Sequence, residues 1–157
     1  MIQLPDESSA SKLLAAALRR DVKVTKSKPP TSAEVPIAGA FVDGENKLIG
    51  ACLVDLPLAA YAGAALSLIP ADAARDSIKA KELEDFMQDN FAEVLNICSR
   101  LFDIDASHRV RLSATSFPPA GYPAELAGLV AKPAKRFDVD LDISGYGKGR
   151  FSLLLAA

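Results

Sequence analysis

A chain of 157 residues, half of them apolar and 24% charged, is long enough to bury a core of its own and reads as one domain over 1–157. Its formal net charge of −2 argues against a nucleic-acid partner, because neutralising phosphates requires a basic face. The two cysteines, Cys52 and Cys98, lack CxxC spacing, which argues against a disulfide framework or a cysteine-rich zinc site and suits a reducing compartment.

The opening MIQLPDESSA lacks the basic and long apolar regions of a secretory signal, so a cytoplasmic location is expected. PDESSASKLLAAALRRDV reads as a helix with Asp6 or Ser8 as cap and an alanine–leucine body. Arg19 and Arg20 are expected in its last turn, where cations suit the helix dipole. KVTKSKPPTSAE is polar and carries Pro29–Pro30, the mark of a connection or a weak edge segment. In VPIAGAFVDGENKLIGACLVDL two apolar runs flank DGEN, which predicts a hairpin turning at Asp43–Asn46. PLAAYAGAALSLIP follows as a short helix, with Pro57 near its first turn and Pro70 beyond its end. Its apolar run, Leu58 to Ile69, is shorter than the ~20 residues a bilayer demands, so no membrane span is expected. ADAARDSIKAK predicts another short helix.

A long amphipathic helix is expected from about Ala80 to Phe102. Leu83, Phe86, Met87, Phe91, Val94, Leu95, Cys98, Leu101 and Phe102 make its apolar face. Asp85, Gln88, Asp89, Ala92, Glu93, Asn96, Ser99 and Arg100 lie opposite. Asn90 projects toward the apolar side, where a strand end would be its partner. HRVRLSATSFPP alternates as a strand with Val110, Leu112 and Ala114 on one side, ended by Pro118 and Pro119. PAELAGLVA suggests a short helix. KRFDVDLDISGYGKGRFSLLLAA predicts a second hairpin around SGYGKG. Helix, connection and hairpin in the first half are thus echoed by helix, strand and hairpin in the second. That order predicts an α+β domain of two related halves sharing one antiparallel sheet with packed helices.

Most chemistry-bearing residues have plain structural readings. His108, the single histidine, lacks a cysteine or histidine partner and reads as a strand-start residue rather than a metal ligand. SGYGKG sits where a hairpin turns and does not open a helix, so it is no phosphate loop. Asp138, Asp140 and Asp142 alternate along a strand and read as a solvated sheet face. Cys52 and Cys98 read as small core residues. No metal site is expected. The remaining feature is the stripe of Asp89, Glu93 and Asn96. Local physics reads it as a wet helix face, yet asparagine is a mediocre helix former in mid-helix and invites a reason.

Asp89, Glu93, Asn96 and Pro119 together match the spacing [D/S]-x3-E-x2-N-x22-P. This pattern resembles the active-site signature of the CheC/CheX/FliY family of bacterial chemotaxis phosphatases, and the element order resembles that family's two pseudo-symmetric halves. The length and the single copy look most like CheX, whose members pair as dimers; SSASKLLAAALRR in the first helix offers no second Glu-x-x-Asn. The resemblance implies a phosphatase acting on the aspartyl-phosphate of a CheY-like response-regulator receiver domain. Asn96 would position the attacking water, Glu93 would contact the receiver's active-site lysine, Asp89 would support them and Pro119 would shape the strand exit. It implies no cofactor of the chain's own, Mg2+ being supplied by the receiver. Ser99-Arg100-Leu101 departs from the small Gly-Asn pair frequent in the family after the asparagine. Arg100 would reshape the partner surface or ion-pair with Glu93, and the alternative is a non-catalytic adaptor that binds a receiver or motility component.

Overall fold

Local signals set most element ends in the computed structural model, which describes residues 2–102 and 109–156. Asp6 caps α1 (Glu7–Leu18), its Oδ1 accepting the Ser9 N–H at 2.7 Å. Asp55 caps α2 (Leu56–Leu66) by accepting the Leu58 N–H at 2.9 Å, and Pro57 sits in the first turn, where its missing N–H leaves nothing unpaired. The end of α2 is a Schellman turn: Ile69 N–H donates to the Ala64 carbonyl at 2.8 Å and Leu68 N–H to Ala65 at 3.2 Å.

Arg19 and Arg20 are not in the last turn of α1, which stops at Leu18. Arg19 is left-handed (φ 56°), and Arg20 reaches across to donate to the Ser144 carbonyl at 2.8 Å and to stack 4.7 Å from the Tyr146 ring centre. The helix expected over 80–102 starts five residues later and ends four earlier, while the separate short helix expected over 71–81 forms as α3 (Ala71–Ala80). It closes where the Lys81 and Glu82 N–H groups bond the Ile78 and Ser77 carbonyls, with Lys81 left-handed at φ 57°. Leu83 then buries, α4 (Asp85–Cys98) begins, and a 3-10 turn at Ser99–Leu101 follows it. Lys81 and Glu82 are good helix formers, so the break leaves no local mark.

One antiparallel sheet holds β1 (Val22–Lys26), β2 (Ile37–Val42), β3 (Leu48–Val54), β4 (Arg111–Ser116), β5 (Lys135–Ile143) and β6 (Gly147–Leu155) in the order β1-β5-β6-β3-β2-β4. Both hairpins form as the turn chemistry predicts. The polar segment after α1 contributes β1, an edge strand against β5. Exchanging the halves, β1-β2-β3 for β4-β5-β6, reverses the sheet order onto itself. The sheet is therefore pseudo-symmetric, and each half's first strand pairs with the other half's hairpin.

α1, α2 and α4 cover one face, burying Leu14, Leu58, Phe91, Leu95, Phe41 and Phe151 in the main core. The other face carries a smaller cluster, in which Leu126 and Leu129 of the 3-10 turn Ala124–Leu126 and α5 (Ala127–Ala131) cover Ala38, Ala40, Ala51, Leu53 and Leu154. The side-chain phase of β4 departs from expectation. The register against β2 shifts between Ala40 and Phe41, so Leu112 joins the main core while Ala114 joins the smaller one. An extra residue in one strand of a pair flips the following side chains to the opposite face.

Candidate functional site

α4 is held on three sides. Leu95 points at the sheet, its methyls standing 3.2–3.3 Å from where a Gly39 Cβ would be, beside Leu112 of β4. Met87, Phe91, Val94 and Cys98 complete the buried side. Gly63 lets α2 approach closely, with the Met87 carbonyl 3.3 Å from its absent Cβ. There Asn90 donates from Nδ2 to the Gly63 carbonyl at 3.1 Å, so its partner is a helix backbone rather than a strand end. Gln88 donates to the Leu83 carbonyl at 3.0 Å and ties the first turns to the preceding loop.

The free side of α4 carries the predicted stripe. Asp89, Glu93 and Asn96 are all exposed, as is Arg100 in the 3-10 turn. At about 100° per residue, Asp89, Glu93 and Asn96 fall on one narrow arc. Among the described residues, no side-chain hydrogen bond or ion pair engages any of the four, so the Glu93–Arg100 pair does not form. The backbone beneath is firm, the Ser99 hydroxyl donating to the Asn96 carbonyl at 2.7 Å. An unpaired carboxylate, an unpaired amide and a nearby guanidinium thus face solvent from a rigid mount, able to hold a water or to meet a polar partner.

Pro119 is exposed in the turn that follows β4, where the Ala120 N–H donates to the Phe117 carbonyl at 3.0 Å and the Pro118–Pro119 bond is cis. Leu95 packs at Gly39, whose register partner is Thr115, so β4 ends one residue further on at Ser116 and Pro119 follows in the turn. Phe86 was expected on the apolar face of the helix, yet it is 49% exposed. Met87 in the same first turn is buried, whereas Phe86 at about 100° per residue falls on the free side with Asp89.

The other candidates have structural fates. His108 lies outside the described residues. Cys52 and Cys98 are buried free thiols; burial pushes both pKa values up, that of Cys98 to about 12, so neither is a ready nucleophile. The aspartates of β5 are not a uniformly wet face. The Asp138 side chain is only 7% exposed, engaged by Arg136 at 2.8 Å and by the Ser152 hydroxyl at 2.7 Å. Register explains it: β5 lies inside the sheet, Asp138 opposite Ser152 and Asp140 opposite Arg150. Among the described residues no three histidine, cysteine, aspartate or glutamate side chains converge as a metal cluster, and no helix is long and apolar enough to cross a membrane.

No family model and no curated protein sequence matches the chain. Solved structures do. The H. pylori FliM middle domain is similar at TM-score 0.58 and 11% identity, over 96% of this chain and 84% of that one. H. pylori FliM in complex with SpeE is similar at TM-score 0.60 and 11% identity, over 96% and 81%. Thermotoga maritima FliY is similar at TM-score 0.51 and 15% identity, over 95% and 83%. The chain therefore has the α+β fold of the CheC/CheX/FliY type, with two pseudo-symmetric halves in one antiparallel sheet.

Proposed function

We propose that this chain is a phosphatase for the aspartyl-phosphate of a CheY-like receiver domain. The observation that carries the reading is the exposure of Glu93 and Asn96, unpaired among the described residues, on one side of a helix whose other side is locked into the core. An acyl phosphate is already labile, so the task is to place a water in line with the phosphorus rather than to supply covalent chemistry. The Asn96 amide offers that water both a donor and an acceptor. Glu93 accepts a charge-assisted bond from the receiver's active-site lysine and so aligns the helix with its target. Asp89 extends the contact one turn earlier, and Pro119 stiffens the chain where it leaves β4. The receiver brings the phosphate and Mg2+.

Asn96→Ala is expected to lower phosphate release from the cognate receiver by about a hundredfold at unchanged binding, since misplacing the water forfeits most of the positioning. Release should be measured on phosphorylated receivers of the same genome. Wild-type protein that accelerates none of them would sink the enzyme reading.

A second reading, a non-catalytic adaptor for a receiver or motility component, is favoured by one observation. The similar structures include FliM held in a complex with another protein, SpeE. Binding of a receiver by wild-type protein without any gain in its dephosphorylation would select this reading.

A further inference from the structure

Phe86 stands out on α4. Every other large apolar side chain of the helix is buried or half-buried, while its ring is 49% exposed in the first turn. It is not on the far side from the candidate site. At about 100° per residue, Phe86, Asp89, Glu93 and Asn96 lie within about 80° of arc, so the ring tops the same stripe. Its mount is stiff, because Gln88 bonds the Leu83 carbonyl and the Met87 N–H bonds the Glu84 carbonyl at 2.9 Å. A ring held in place in advance loses little freedom when it docks.

The charges beside it indicate what docks. Asp85, Asp89 and Glu93 follow one another at four-residue spacing, a like-charge row that weakens a helix, and among the described residues no cation pairs with them. The helix dipole accounts for Asp85 in the first turn but not for the two acids beyond it. A second copy of this chain is disfavoured where Phe86 and Asp89 would meet their counterparts, because a two-fold contact centred on Asp89 sets Asp85 of one copy against Glu93 of the other.

Resting on the receiver-binding reading above, we propose that Phe86 is the apolar anchor of the docking face. Its ring enters an apolar pocket on the receiver rimmed by lysine or arginine, and Asp85 and Asp89 meet that rim while Glu93 takes the active-site lysine. Phe86 contributes affinity and Asn96 contributes rate.

The test compares wild type, Phe86→Ala, Phe86→Leu and Asn96→Ala by calorimetric titration and by phosphate release against the cognate receiver phosphorylated with acetyl phosphate. Phe86→Ala should weaken binding at least about tenfold and raise KM with kcat unchanged, and Phe86→Leu should recover part of the loss. Circular dichroism and a melting midpoint no lower than that of wild type establish that the variants fold. Binding by Phe86→Ala equal to wild type overturns the proposal while leaving the phosphatase reading in place. Binding that depends on Phe86 without dephosphorylation supports the proposal and removes the enzyme reading. A wild-type chain that binds no receiver ends both. Sedimentation in which Phe86→Ala breaks a dimer with receiver affinity unchanged assigns the ring to self-association and also overturns the proposal.

Discussion

Leu68 occupies the position at which a Schellman turn favours glycine. Its φ is 57°, and 65% of it is exposed, so no burial offsets the left-handed backbone. Leu68→Gly is expected to raise stability by about 0.5–1 kcal/mol, the relief of the backbone less the extra freedom of glycine in the unfolded chain. A higher urea midpoint at constant m-value is the readout, and no shift would place the leucine in a contact that the folded monomer does not make. Asn96 is a parallel case with a different meaning. In the last turn of α4 an exposed asparagine is less favourable than alanine by at most about 0.5 kcal/mol, so Asn96→Ala should hold or gain stability in the same titration that accompanies its loss of rate. Opposite signs in stability and activity mark a residue kept for chemistry.

The α2 start shows how an element is joined to the sheet. Gly149 of β6 lies so close that an added Cβ would stand 2.6 Å from the Leu58 Cβ and 2.7 Å from Asp55 Oδ1. The same crowding half-buries the capping carboxylate. Burial raises the Asp55 pKa above its usual value, opposed by the bond from the Leu58 N–H and by nearby Arg150. Because folding raises this pKa, the folded state keeps a proton that the unfolded chain has released. The group therefore contributes most to stability below its unfolded pKa, and that contribution is lost as pH rises through the folded value. Asparagine caps as well as aspartate but does not titrate. Asp55→Asn should thus flatten the fall in stability above about pH 4, the ordinary aspartate range, in urea titrations across pH. Asp6 and Glu34 act in the opposite sense, their pKa values lowered chiefly by backbone hydrogen bonds from Ser9 and Thr31, so their contributions are lost as pH falls. Their presence in both proteins leaves the wild-type–variant difference to Asp55.

At the scale of the molecule, the two halves are laced together. Among the described strands β1 pairs only with β5 and β4 only with β2, so either half alone would leave its first strand without that partner and its hairpin with a bare edge. Fragments 1–81 and 82–157 are each expected to lack a cooperative unfolding transition, and mixing them should restore one by calorimetry. A cooperative transition in either fragment alone would show that the lacing is not needed for folding. What is written within a few residues was legible in the chain. Asp43–Asn46 and SGYGKG make the hairpin turns, Asp6 caps its helix, and the polar spacing of Asp89, Glu93 and Asn96 puts all three on the free side of a helix. Turn chemistry, capping and periodicity are local forces, so they can be read locally. Long-range contacts set the rest: Val24 pairs with Leu141, Asp138 is enclosed by Ser152 as well as Arg136, and Asn90 bonds the Gly63 carbonyl of another helix. Each of those outcomes depends on a partner distant in the chain, and no spacing along a single segment records it.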